Sequence, residues 1–199
     1  YEFNSNIGDT LTLNIEEKWG IQGFDAVIGN PPYNSSGNTG TGNTIWQDFT
    51  KLSLNYLLND NGFLVFVHPP GWRKPNTKKG KFYGLYELMT NKNQMLYLSI
   101  HGIKDGQKTF NCGTRYDWYI IKKKPNYKNT MIQDENKKEY NMDISKLDWL
   151  PNSNIDNIIK LFISKRDNSN CACPIIYNRS NYPSDNKKYK YKIKKKEYK

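Results

Sequence analysis

An α/β fold with parallel strands at its centre is what the 199-residue sequence predicts. Three observations lead there. The run Ala26-Val27-Ile28 is short, apolar and β-branched, and Gly29 closes it, as a buried strand requires. Residues 63–68, Phe-Leu-Val-Phe-Val-His, form a second, nearly continuous apolar strand, the pattern of a parallel strand covered on both faces. Between them, residues 44–59 place Trp46, Phe49, Leu52 and Tyr56 at helical spacing, with Leu57 adjoining and Thr44 as the N-cap. Strand, helix and parallel strand make a right-handed crossover.

The first strand hands the chain to Asn30-Pro31-Pro32-Tyr33. In open α/β sheets, ligands bind just beyond the carboxyl ends of strands, where this tetrapeptide would sit. Each proline fixes its own φ and holds the residue before it extended, so the carbonyls of Asn30 and Pro31 are held in place. The Asn30 side chain adds another acceptor. Acceptors converging from one rigid loop suit a substrate with an –NH2 group, and Tyr33 offers a flat face for a planar ring.

With the flanking Phe24-Asp25-Ala26-Val27-Ile28-Gly29, the tetrapeptide resembles the catalytic motif of N6-adenine-specific DNA methyltransferases of restriction-modification type, which use S-adenosylmethionine (SAM). The resemblance implies a partial Rossmann-like SAM-dependent methyltransferase fold, a mostly parallel sheet with a late antiparallel strand. It implies that the Asn30 side chain and the Pro31 carbonyl accept hydrogen bonds from the adenine N6 amine, with Pro32 completing the motif. Tyr33 would stack on the flipped base. Asn30 also lies at the cofactor. Asp9, in Asn6-Ile7-Gly8-Asp9-Thr10-Leu11, matches the aspartate that accepts from the SAM adenine amine; the plain alternative is an Asp in a Gly-Asp turn. The Gly-rich loop and the acidic residue that hold the rest of SAM in this family do not fit, with their strands, before Phe24. The chain therefore reads as the C-terminal part of a longer methyltransferase or one piece of a split one. Implied partners are double-stranded DNA with a flipped adenine, the missing N-terminal half, and a specificity or endonuclease subunit. The same tetrapeptide also occurs in methyltransferases acting on protein glutamine, and related motifs act on RNA guanine. A DNA-binding fragment that transfers nothing is a third reading.

Residues 34–43 read as a flexible Gly/Ser/Asn loop following the catalytic turn, and Asn61-Gly62 as the end of the helix. His68 has two readings, a proton acceptor or simply a hydrogen-bonded histidine; transfer to an N6 amine needs no strong base. Trp72, Arg73, Lys74, Lys78 and Lys79 follow at the same sheet edge and are candidates for DNA contact, the lysines through phosphates. A helix is expected over Phe82 to Asn91 and a strand over 94–100. Residues 108–124 resemble the family's downstream motif, with a strand from Arg115. There an aromatic packs on the flipped adenine opposite the tyrosine; Phe110 fits that place, with core packing as its alternative. Tyr116 reads as a strand residue.

Residues 1–124 are thus read as catalytic domain and 125–181 as a small C-terminal region that begins a target-recognition segment. Within it an amphipathic helix is expected over 154–165, with Asn154 as its cap. Residues 182–199 read as a basic, disordered tail. Net charge is +11 with pI about 9.4 and mean hydropathy −0.87. Residues 1–70 carry −5 and the remainder +16, which points the second half at a polyanion. Cys112, Cys171 and Cys173 are too few and too scattered for a disulfide framework, and Cys171-Ala172-Cys173 lacks metal-ligand spacing. No metal is expected. With no apolar run near eighteen residues and no signal peptide, the expected location is the cytoplasm, of a host if the gene is viral, and no membrane contact.

Overall fold

The computed structural model describes residues 8–35, 44–74, 80–147 and 149–163. Most of the expected 34–43 loop, Lys78, Lys79, Cys171, Cys173 and the basic tail lie outside the described residues. The chain divides into two compact units, Tyr1–Ile159 and Lys160–Lys199.

In the first unit the described elements run α1 (Ile15–Trp19), β1 (Phe24–Gly29), α2 (Trp46–Leu52), β2 (Leu58–His68), α3 (Leu85–Thr90), β3 (Gln94–His101), α4 (Ile103–Phe110), β4 (Tyr116–Lys122), β5 (Thr130–Gln133) and β6 (Glu139–Met142). Helix α5 (Ile155–Ile163) follows. The strands form one six-stranded sheet in the order β1-β2-β4-β3-β5-β6. β1 and β2 are parallel, as are β3 and β5. β4 runs antiparallel to both β2 and β3, so β1, β2, β3 and β5 all point one way. The late strand is reversed as expected and is inserted between β2 and β3 rather than added at an edge.

Register explains the core. Leu64, Phe66 and His68 of β2 pair with Ile121, Tyr119 and Asp117 of β4, and all six are buried. Trp46, Leu54, Leu85, Tyr86 and Met89 belong to the same buried cluster as the apolar members of that row. The alternate residues form a different row. Ile28 pairs with Val65, Val65 with Ile120, Ile120 with Tyr97, and Tyr97 with Met131. Ile28 is 75% exposed, Met131 is exposed, and the three between them are only half-buried.

Three expectations need correction. The Ala26-Val27-Ile28 strand is not buried: β1 is an edge strand, pairs only with β2 among the described residues, and leaves Ala26 and Ile28 exposed. Asn61-Gly62 does not end the helix. The helix has already closed in a π-helical turn, Ser53–Leu57, and β2 starts at Leu58. Asn61 (φ 66°) and Gly62 lie in a bulge where pairing to β1 jumps from Phe24–Leu58 to Ala26–Phe63. A Cβ on Gly62 would lie 2.9–3.1 Å from backbone oxygens of Asn59, Phe24 and Asp25, which glycine avoids. Thr44 does not cap α2; it bridges to Asn34, and Ile45 takes the cap position with no side-chain bond. By contrast, Asn14 does cap α1, accepting from the Glu16 and Glu17 amides at 3.2 Å each.

The boundary expected at residue 124 falls between β4 and β5, two strands of one sheet. Asp134 organises the part beyond it. Its buried carboxylate accepts from the Asn136 and Lys138 amides, the Tyr140 hydroxyl and the Asn154 amide, tying the β5–β6 turn to the start of α5. The expected helix begins at Ile155 and buries Ile155 and Ile159, but Asn154 sits at φ 52° and Asn157 donates to its side chain.

Candidate active site

The sheet register brings the candidate residues to one edge. β1 ends at Gly29 opposite Phe66, two residues before β2 ends at His68. His68 pairs with Asp117, and Tyr116 pairs with His101 at the close of β3. The Asn30–Tyr33 loop, the 68–74 turn, His101 and the 110–116 segment therefore share the carboxyl edge of the parallel strands.

Within the loop, Asn30 and Pro32 are exposed, Pro31 is buried and Tyr33 is half-buried against the core. The Tyr33 carbonyl accepts from the Ile45 amide at 3.1 Å, which fixes the loop's far end on the start of α2. The Tyr33 hydroxyl is buried and has no hydrogen-bond partner among the described residues. Burial, with Cys112 and Tyr116 nearby, pushes its pKa above the ordinary phenol value. Those two neighbours place the 110–116 segment beside Tyr33.

Phe110 is the last residue of α4, half-buried and outside the main buried cluster. Its ring meets Tyr116 edge-on, 4.9 Å between centroids at 82°. Tyr116 in turn stacks flat on His101, 4.4 Å at 3°, and its hydroxyl lies 3.2 Å from Thr109 Oγ1. His101 is held by Ser99 Oγ at 2.9 Å and Asp105 Oδ2 at 3.2 Å. Burial and Lys137 push the His101 pKa down, against the pull of Asp105. The sequence reading missed His101 and left Tyr116 as a plain strand residue. The available signal was His101 closing an apolar strand at the same edge as His68.

The approach of 110–116 depends on a glycine. A Cβ on Gly106 would collide with the Thr114 carbonyl, so α4 lies against the returning chain only because residue 106 has no side chain. Asn111 then turns the chain at φ 54°. Cys112, exposed and a free thiol, follows.

His68 is a structural residue. Its Nδ1 lies 2.9 Å from the Pro69 carbonyl, which only accepts, so Nδ1 carries the proton and Nε2 accepts from the Tyr119 hydroxyl at 2.8 Å. Trp46 stacks on its face at 4.0 Å. Burial lowers its pKa to about 3, so the ring is neutral and its lone pair is already engaged.

Trp72 and Arg73 are not surface DNA contacts. They are buried, 1% and 4% exposed. Trp72 Nε1 donates to Asp117 Oδ2 at 2.9 Å. Arg73 donates from Nε and Nη2 to Asp117, from Nη1 to the carbonyls of Leu150 and Pro151, and from Nη2 to Asn152 Oδ1. A guanidinium has five N–H groups, and each is matched inside the fold. Burial pushes the Asp117 carboxyl up while Arg73 and Trp72 pull it back. Lys74, next in sequence, is exposed.

Asp9 is exposed, and its Oδ1 accepts from the Leu11 amide at 2.9 Å, capping a short 3-10 turn, Thr10–Thr12. The turn reading of Asp9 is thus present in the geometry. Asp9 also lines an open hollow of about 450 Å³ with Gly8, Thr12 and Asn14. An exposed carboxylate oxygen and a neighbouring hollow fit the adenine-amine end of SAM.

A family model described as the Eco57I restriction-modification methylase matches residues 6–110. The chain belongs to that family. The matched span holds Asp9, the Asn30–Tyr33 loop, Trp72 to Lys74 and Phe110, while Tyr116, Asp117 and Trp149 lie beyond it. No curated protein matches the chain. Among solved structures, the chain is similar to a type I restriction-modification assembly at 16% identity, covering 80% of this chain and 33% of that one, with a TM-score of 0.48. It is similar to the methyltransferase subunit of a type I system from Streptococcus thermophilus at 18% identity, covering 79% and 35%, with a TM-score of 0.46. For the M protein of the type I restriction enzyme EcoKI the values are 17%, 64%, 28% and 0.45. The chain thus spans about a third of the length of these proteins. Among its described residues, no helix is long and apolar enough to cross a membrane.

Proposed function

We propose that this chain supplies the substrate half of a SAM-dependent DNA (adenine-N6)-methyltransferase of a restriction-modification system. The observation that carries the reading is the juxtaposition of an exposed Asn30, ahead of two prolines, with Tyr33 and the Phe110–Tyr116 segment at one sheet edge. Asn30 Oδ1 and the Pro31 carbonyl accept the two N–H bonds of an adenine N6 amine and so direct its lone pair away from the loop. Tyr33 and Phe110 hold the extruded base between them, offsetting the few kcal/mol needed to unstack it. The bound cofactor supplies an electrophilic methyl group. The chain itself contributes orientation, acceptor placement and exclusion of water. Asp9 would hold the cofactor's adenine, with Asn30 beside it.

The remainder of the cofactor site belongs to a further unit. The edge of β1, unpaired on its outer side among the described residues, and the half-covered row from Ile28 to Met131 support this, since parallel strands ordinarily lie under cover on both faces. DNA and that unit are the proposed partners, with a specificity or endonuclease subunit beside them.

The test is methyl transfer from labelled SAM by this chain joined with a SAM-binding unit, the product digested and scored for N6-methyladenine. Asn30→Ala should abolish transfer. Label found only in glutamine of a protein would replace the substrate class. Micromolar SAM binding by this chain alone would overturn the shared cofactor site.

A further inference from the structure

A cleft of about 460 Å³ opens one strand across the sheet edge from the Asn30 loop. Pro70 enters it from the turn after β2 and Arg115 from the residue before β4; Lys74, Trp149, Pro151 and Asn152 complete the walls used here. Its floor is tied to Arg73. Arg73 holds the carbonyls of Leu150 and Pro151 and the side chain of Asn152, and its own carbonyl accepts from the Leu150 amide at 3.0 Å. That backbone clamp sets the indole-bearing residue next to Leu150 against the 70–74 turn. Two cations border the cleft. Lys74 is exposed, and Arg115 is half-buried with Nε 3.4 Å from Glu135 Oε2, a contact that orients the guanidinium.

Size and chemistry together select an occupant. The volume is that of a small-ligand site. Trp149, Pro70, Leu150 and Pro151 give the cleft apolar lining beside the cations. An indole and two cations lining one cleft match the chemistry of a base and its flanking phosphates, the groups by which single strands are held. A paired duplex offers no free base face. A strand distorted around an extruded base does.

We propose that this cleft takes a nucleotide of the DNA strand adjoining the target base, the base against Trp149 and its flanking phosphates at Lys74 and Arg115. The proposal rests on the DNA-methylation reading above. It assigns contact to two residues outside the matched family span and gives Arg73, buried as it is, the part of holding the floor.

The experiment titrates the full chain into a short fluorescein-labelled single-stranded oligodeoxynucleotide, read by anisotropy from ~50 to ~200 mM salt. Lys74→Gln with Arg115→Gln should lower the slope of log K against log salt by about 1.4, the loss of two single-strand phosphate contacts. Trp149→Ala should weaken binding about tenfold with the slope unchanged, and Trp149→Phe should restore most of it. Urea midpoints of each variant confirm that the fold survives. Lys92→Gln with Lys124→Gln, beyond the opposite end of β4, should leave a clearly smaller slope change. Equal slope losses from the two lysine-containing pairs, or affinity unaffected by Trp149→Ala, would overturn the cleft alone. An unsubstituted chain that binds no DNA probe would overturn the DNA reading, and the cleft with it.

Discussion

Arg73 and Asp117 meet as a two-pronged buried pair, Nε to Oδ2 at 2.7 Å and Nη2 to Oδ1 at 3.1 Å, between the turn after β2 and the start of β4. The pair joins sequence positions 44 apart, and through Leu150, Pro151 and Asn152 it reaches 79 positions along the chain. Removing one partner leaves a buried charge without its counterpart, the costly way to break such a pair. Asp117→Ala should therefore lose about 3–5 kcal/mol of stability, read as a fall in the urea midpoint. Arg73→Lys should also be destabilised, since one ammonium cannot reproduce the planar fork. An Arg73→Lys chain with the urea midpoint of the unsubstituted one would show that the planar fork is not what holds the pair.

Gly106→Ala tests the seat of Phe110. In an ordinary helix position alanine is favoured over glycine by up to about 1 kcal/mol. Here the added methyl meets the Thr114 carbonyl, a backbone atom that cannot swing aside. Overpacking of this kind costs about 1–3 kcal/mol. The expected outcome is a lower melting temperature together with altered reactivity of the exposed Cys112 thiol, because the 111–114 turn must shift. A gain in stability would mean that the turn is free to move.

Most of this architecture was legible from period and punctuation. Strand β3, the buried half of β2, the α3 face and the existence of β4 follow from apolar spacing, which tertiary packing then respects; the reversed sense of β4 comes from the resemblance alone. The failures share a cause: each turned on something outside the local window. Nothing in Ala26-Val27-Ile28 says that its outer edge has no partner strand among the described residues. Asn61-Gly62 is as good a bulge as a helix stop, and the register between β1 and β2 decides. Trp72-Arg73 reads as a DNA contact from its place after β2 at the edge shared with Asn30, yet a carboxylate from β4 draws it inside. Helix α4 was missed because Ile103–Phe110 contains glycine and little apolar content; the close approach of Thr114 explains that glycine and was invisible in one dimension.

The buried His68 makes stability depend on pH with a definite sign. An unfolded chain takes up a proton at this ring near the ordinary value of 6.5, whereas the folded chain resists until about 3. The contribution is complete above about 6.5 and is lost as the pH falls toward 3, at about 1.4 kcal/mol per pH unit. His101, also lowered, acts in the same direction, and Asp117, raised by burial, acts in the opposite one. The measurement is therefore a comparison of slopes between the unsubstituted chain and His68→Gln, which retain both of those groups. Urea midpoints between about pH 6.5 and 4.5 should fall more steeply for the unsubstituted chain. Parallel slopes would show that His68 titrates in the folded state as it does in the unfolded one.

Ile28 carries the last prediction. It stands two residues before Asn30, 75% exposed, at the head of the row Val65, Ile120, Tyr97 and Met131. Little of its surface is buried in this chain, so Ile28→Thr should alter stability by no more than about 0.5 kcal/mol. An open strand edge beside apolar side chains is a template for further pairing. In the proposed enzyme that pairing is productive, and Ile28→Lys should block assembly with the SAM-binding unit while leaving the urea midpoint of the isolated chain nearly unchanged. Asn30→Ala should do the reverse, assembling normally and transferring nothing. Co-elution on a sizing column separates the two. If Ile28→Lys assembles as well as the unsubstituted chain, the cofactor unit does not join along β1, and the open face serves something else.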